Sequence, residues 1–253
     1  MEVITVINQK GGVGKTTTAQ SLGAGLQKRG KKVLLIDLDP QTNLTYTVLR
    51  KIPEKTIFNV FMKNENINNC IFKVGETEII PASSELSILD TILKDTGKEY
   101  RLKEALKTLK NDYDFIIIDT PPALGILTIN SLTASNRAVI TAQADIYSLQ
   151  GIGQLNQTIQ AVKKYCNENL KIDGVLLTRH NSRSILSRDM TENMKRMAES
   201  IGTKLYDSKI RECTAIKEAQ ATGQNIFDYS KKCNASIDYN NFIDEFLKGA
   251  INE

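Results

Sequence analysis

The residues that most restrict what this chain can fold into are its first seventeen. An apolar run, VITVI (3–7), passes directly into Asn8-Gln9-Lys10-Gly11-Gly12-Val13-Gly14-Lys15-Thr16-Thr17, and a helical pattern opens at once. A turn of this kind, between a buried strand and a helix, aims consecutive backbone N–H groups and a helix N-terminus at one spot, which is how a protein holds polyphosphate. Glycines let the backbone approach phosphate oxygens with no Cβ in the way. In such a loop Gly11, Gly12, Val13, Gly14, Lys15, Thr16 and Thr17 cradle the phosphates, Lys15 reaches the β- and γ-phosphates, and the Thr16 hydroxyl faces magnesium. The expected ligands are therefore ATP and Mg²⁺.

Further apolar runs follow at KVLLIDLD (32–39), EIIPA (78–82), FIIIDTP (115–121), RAVITAQ (137–143) and GVLLTRH (174–180). They are nearly continuous in Val, Ile and Leu, as strands buried on both faces of a parallel sheet should be. Helical patterns over 16–29, 100–109 and 149–165 alternate with them, and Gly30 is a stop signal for the first. The pattern predicts an α/β fold of the P-loop NTPase type, a single domain over 1–253 with a mostly parallel sheet and helices on both faces. The run ending Ile117-Ile118-Asp119 closes on a carboxylate suited to a magnesium site, and Ile36-Asp37-Leu38-Asp39 places two more at another strand end.

Composition excludes several alternatives. Hydrophobic residues make up 41% and charged residues 25%, and no run of about eighteen apolar residues suits a membrane span. No leader pattern precedes the first strand, so a cytoplasmic location is expected. The four cysteines, at 70, 166, 213 and 233, lack CxxC spacing and His180 is the sole histidine, which removes support for zinc, iron–sulfur or a histidine-based triad. Charge is uneven: from Arg179 to Lys217 nine basic residues face five acidic ones, so this segment carries the whole chain's net +4.

The literal pattern GxxxxGK[ST] fails at Gln9, and a second lysine, Lys10, stands five residues before Lys15. The loop KGGVGKTT is the deviant Walker A box, and here the chain resembles the ParA/MinD family of ATPases, in particular small ParA (Soj-like) partitioning proteins. The resemblance implies an ATP sandwich homodimer in which Lys10 reaches the other subunit's nucleotide and neutralises charge on the transferred phosphoryl, as an arginine finger does elsewhere. Asp37-Leu38-Asp39-Pro40-Gln41 matches the family's DxDPQ box, which makes Asp39 the residue that positions the attacking water, with Thr16, Asp39 and Asp119 around magnesium. QADIYSLQG (143–151), GVLLTRHNSRSILSRD (174–189) and the segment 210–229 continue the likeness.

From the resemblance, Pro121, Thr178, Arg179, Ile210 and Arg211 border the nucleotide, and Arg183, Arg188, Lys195 and Lys217 contact DNA without regard to sequence. The segment 210–229 departs from the family's IPRNVRLSEAPSxGxP wording. With Glu218-Ala219 as the anchor, a common arginine falls on Ala215, a proline on Arg211, and the proline after Glu-Ala becomes Gln220. The implied partners are nonspecific DNA and a ParB-like or other small centromere-binding adaptor that stimulates hydrolysis, with nucleoid association in the ATP state. The chain starts at the loop strand, so an N-terminal helix-turn-helix extension is not expected. A MinD-like membrane-positioning ATPase is the alternative. It needs a basic amphipathic tail, whereas Asn240–Ala250 offers one lysine against two acids, so no membrane contact is expected.

Overall fold

The computed structural model describes residues 1–181 and 185–251. Eight strands form one sheet: β1 (Glu2–Ile7), β2 (Val33–Asp37), β3 (Phe72–Val74), β4 (Thr77–Ile80), β5 (Phe115–Asp119), β6 (Arg137–Ala142), β7 (Lys171–His180) and β8 (Leu205–Arg211). The helices are α1 (Lys15–Gln27), α2 (Asn43–Leu49), α3 (Ile57–Lys63), α4 (Leu89–Ile92), α5 (Arg101–Leu106), α6 (Ile126–Ala134), α7 (Ile146–Tyr165), α8 (Ile185–Ser200), α9 (Thr214–Thr222), α10 (Ile226–Tyr229) and α11 (Asn234–Ile251).

The sheet order is β3-β4-β2-β5-β1-β6-β7-β8, parallel throughout except that β3 runs against β4. All six apolar runs are strands. β3 and β8 escape the sequence pattern because both are edge strands with half-exposed side chains, so they lack a continuous apolar run.

Side-chain alternation divides the core. Ile4 and Val6 of β1, with Leu35 of β2, pack under α1, α10 and α11. Val3, Leu34, Ile36, Ile116 and Ile118 face the opposite way, toward α3, α5 and α6. Ile7, Ile140 and Leu177 join α7 and α8 on that second face. Both faces are thus covered, which a parallel sheet requires.

The tail helix α11 belongs to this core. Tyr239, Phe242, Ile243 and Phe246 are buried, Phe242 meets Tyr206 edge-on at 4.9 Å, and the Arg137 guanidinium sits 4.2 Å from the Phe246 ring centre. A side chain at Gly25 would collide with Ile243, so glycine is what lets α1 and α11 approach. Among the described residues no helix is long and apolar enough to cross a membrane.

The register decides where function collects. Asp119 lies opposite Val6 on one side and opposite Asp37 on the other, so β1, β2 and β5 end level with one another. β5 and β6 flank β1, and chain order reverses there, which opens a crevice beyond the strand C-termini.

Candidate nucleotide-binding site

The loop after β1 fills that crevice, and side chains from other strands fix its path. Asn8 is fully buried: its Nδ2 donates to the Thr141 carbonyl at 2.5 Å and its Oδ1 accepts the Lys10 N–H at 2.9 Å. The Thr178 hydroxyl donates to the Val13 carbonyl at 2.9 Å, and Gln143 Nε2 to that of Gly12 at 3.2 Å. Gly12 and Gly14 take φ of 74° and 78°, in the left-handed region that glycine enters at little cost. α1 begins immediately after, with neither a side-chain cap nor an acid in its first turn. Its N-terminal amides and dipole are therefore open to an anion.

Lys15 is buried, and its ammonium folds back to donate to the Lys10 carbonyl at 3.0 Å. Burial lowers its pKa, while the Asp119 and Asp39 charges oppose the fall. Asp39 and Asp119 act on it directly, and Asp37 stands behind them. Asp37 is pushed up to about 6 by burial, against hydrogen bonds from Thr45 and the Asp39 N–H. Asp39 is raised by burial, offset by the Gln41 N–H (2.9 Å to Oδ1) and by Lys15. Asp119 is held well above the usual carboxylate range, first by burial and then by the Asp37 charge, with Thr16 and Lys15 working the other way.

Asp37 is satisfied by Thr45 and by the Asp39 amide, whereas both Asp119 oxygens are buried without a settled hydrogen bond. Buried carboxylate oxygens with unfilled lone pairs, next to the Thr16 hydroxyl and the Lys15 ammonium, fit a divalent cation, whose charge would hold Asp119 ionised. Among the described residues no cluster of three His, Cys, Asp or Glu could hold a metal alone, so an ion here would rely on Thr16 and on ligand oxygens.

A cleft of about 740 Å³ runs over the loop, lined by Gly11, Gly12, Gly14, Lys15, Thr16, Thr17 and Asp39. Its far wall is Gln41, Thr42, Asn43, Tyr46, Thr47 and Arg50 around α2, with Pro122, Gln220 and Ala221. A larger cavity, about 1020 Å³, opens at the N-terminal ends of β2, β4 and β5. It gathers dispersed lysines already partly paired, Lys28 with Asp228 and Lys73 with Glu78, and converges on no reactive group.

Other expected residues lie outside the loop's cleft. Lys10 turns away from it to Asp145 at 2.7 Å, near the start of α7. Pro121 is buried, and its neighbour Pro122 lines the cleft instead. Thr178 stands under Gly14, with its methyl 3.5 Å from where a Cβ would be. Ile210 points into the core, so only its backbone can meet a ligand. Arg179 pairs with Glu212 at 2.7 Å and Arg211 with Asp238 at 2.7 Å, which holds both guanidinium groups. Arg188, Lys195 and Lys217 are exposed, and Arg183 lies outside the described residues. Sequence reading missed Tyr46, Arg50 and Gln220 as cleft residues.

A doubly wound sheet with this loop at its reversal point defines a P-loop α/β protein of the nucleotide-binding class. The family model described as an AAA domain matches residues 1–172. Over 236 residues the chain is 39% identical to the sporulation initiation inhibitor protein Soj of Bacillus subtilis, covering 91% of this chain and 92% of that one. It belongs to this AAA-domain family, among the Soj-like ParA proteins. Among solved structures it is similar to cobyrinic acid a,c-diamide synthase from Mycobacterium smegmatis with bound ATP analog and magnesium, at 33% identity and a TM-score of 0.85, covering 99% and 96% of the two chains. A Borrelia burgdorferi B31 plasmid partition protein bound to AMPPNP gives 25% identity and a TM-score of 0.85, covering 98% of each.

Proposed function

We propose that the chain is an ATP-dependent DNA-partitioning switch, an ATPase whose ATP-bound homodimer holds nonspecific DNA and whose hydrolysis releases it. The observation that carries this reading is the division between the two loop lysines: Lys15 folds into its own cleft, while Lys10 turns outward to Asp145. The Lys10–Asp145 pair is partly exposed and worth at most about 1 kcal/mol, so Lys10 is free to exchange it for a phosphate of a second copy's nucleotide.

In this account Gly11 to Thr17 hold the phosphates. Thr16, Asp39 and Asp119 would hold magnesium, which neutralises charge on the β- and γ-phosphate oxygens when bound. Asp39 orients a water for in-line attack on the γ-phosphorus, the bond to the ADP oxygen breaks, and Lys15 with the partner copy's Lys10 stabilises the charge.

Exposed Arg188, Lys195 and Lys217 supply phosphate contacts on DNA, together with Arg183, and a ParB-like adaptor stimulates turnover. Such binding places the protein in the cytoplasm, on the nucleoid when ATP is bound. That α11 buries its apolar face in the core supports DNA over a membrane as the surface it reads.

The test is mass in solution. With ATP and magnesium the Asp39→Ala variant is expected to run at twice the 28.2 kDa chain mass, and with ADP as a monomer. Adding Lys10→Ala should leave it monomeric in both. Dimers that ignore the nucleotide, or that survive loss of Lys10, would overturn the proposal.

A further inference from the structure

Two side-chain contacts tie α9 to opposite walls of the cleft. Gln220 Nε2 donates to Thr17 Oγ1 at 3.1 Å, linking α9 to the first turn of α1 across 203 positions of sequence. The Arg50 guanidinium donates to the Ala221 carbonyl at 2.8 Å and so fastens the next residue of α9 to the end of α2. Gly223 closes α9 in the left-handed region, and a Cβ there would strike that guanidinium, so the helix ends where Arg50 can lie over it. Gln220 is thereby held at a fixed distance from the phosphate loop. It stands where the resembling sequences read proline, a residue with no such donor.

We propose that Gln220 is a positioning residue for the nucleotide, acting through Thr17. A hydroxyl has one proton to give and two lone pairs. Because Thr17 Oγ1 accepts from the Gln220 amide and meets no other hydrogen-bond partner among the described residues, its own proton is free to donate to a nucleotide phosphate. The amide therefore sets the sense of the hydroxyl before the ligand arrives, which removes an ordering cost from binding. The inference rests on the nucleotide reading above, and adds to it a residue that touches no phosphate itself.

The experiment is an equilibrium titration of a fluorescent ATP analogue with magnesium, with thermal unfolding of the nucleotide-free protein alongside. Gln220→Met keeps the length and removes the donor, and affinity should fall about 3- to 10-fold. Gln220→Glu presents only acceptors and a negative charge, draws the hydroxyl proton toward itself, and should cost more than about 10-fold. In a Thr17→Val background Gln220→Met should change affinity no further, and an unchanged thermal midpoint of the nucleotide-free Gln220→Met protein separates this from a structural role. Unchanged affinity in Gln220→Met, or the same fold-loss with and without the Thr17 hydroxyl, overturns the proposal while leaving the nucleotide reading in place. Full affinity in Lys15→Ala overturns both.

Discussion

Lys15→Ala is expected to abolish ATP binding while leaving the fold intact. Lys15 is a buried cation that feels the charges of Asp119 and Asp39, and its ammonium is held over the loop by the Lys10 carbonyl. A charge-assisted contact to phosphate contributes about 1.5–3 kcal/mol each, and one lysine between two phosphates makes more than one. Affinity should therefore fall by roughly 100-fold or more. In the free protein the change relieves the desolvation of a buried ammonium and takes from Asp39 and Asp119 a group that opposes their upward shift. Those two effects offset one another, and the thermal midpoint should move little. Calorimetric titration with ATP and magnesium measures the first effect and thermal unfolding the second. Retained full affinity would contradict the phosphate-loop assignment.

Asp39→Ala should separate binding from turnover. The carboxylate stands at the cleft beside Lys15, and its backbone amide is fixed by Asp37 Oδ1 at 3.0 Å. Losing a group that orients or deprotonates the attacking water costs about 10²- to 10⁴-fold in rate. Nucleotide affinity should stay within a few-fold, since removing a carboxylate near phosphates relieves repulsion as well as losing a magnesium contact. Phosphate release under single-turnover conditions reads the rate, and gel filtration with ATP reads the dimer. Turnover at the unaltered rate would move the water-orienting role to another residue.

What the sequence made legible was whatever is local and repetitive. Parallel strands buried on both faces need continuous apolar runs, and the six of them were readable for that reason. The loop was readable because phosphate binding needs glycines, a lysine and a hydroxyl at fixed spacing before a helix. Asp119 stood out because it closes a buried strand, and the register then set it opposite Asp37.

The far wall of the cleft was not legible, because nothing local brings it together. Arg50 meets Ala221 across 171 positions, and neither neighbourhood carries a periodic signal for the meeting. In the edge strand β8 only Tyr206 and Ile210 are buried, so Ile210 faces the core and leaves its side chain unavailable at the ligand's edge. Pro121 and Pro122 differ by one position, and the chain bends just there, past the end of β5, so that Pro121 is buried while Pro122 reaches the cleft.

Binding to nonspecific duplex DNA across a salt series, with ADP, with ATP, and with ATP on Lys10→Ala, reads whether nucleotide state gates attachment of the proposed switch to DNA. The expected result is binding with ATP alone, absent in Lys10→Ala, and falling steeply with salt by about 0.9 in the log–log slope for each phosphate contact. No binding in any state, or binding indifferent to nucleotide and to Lys10, would mean that the protein is not a nucleotide-gated DNA switch.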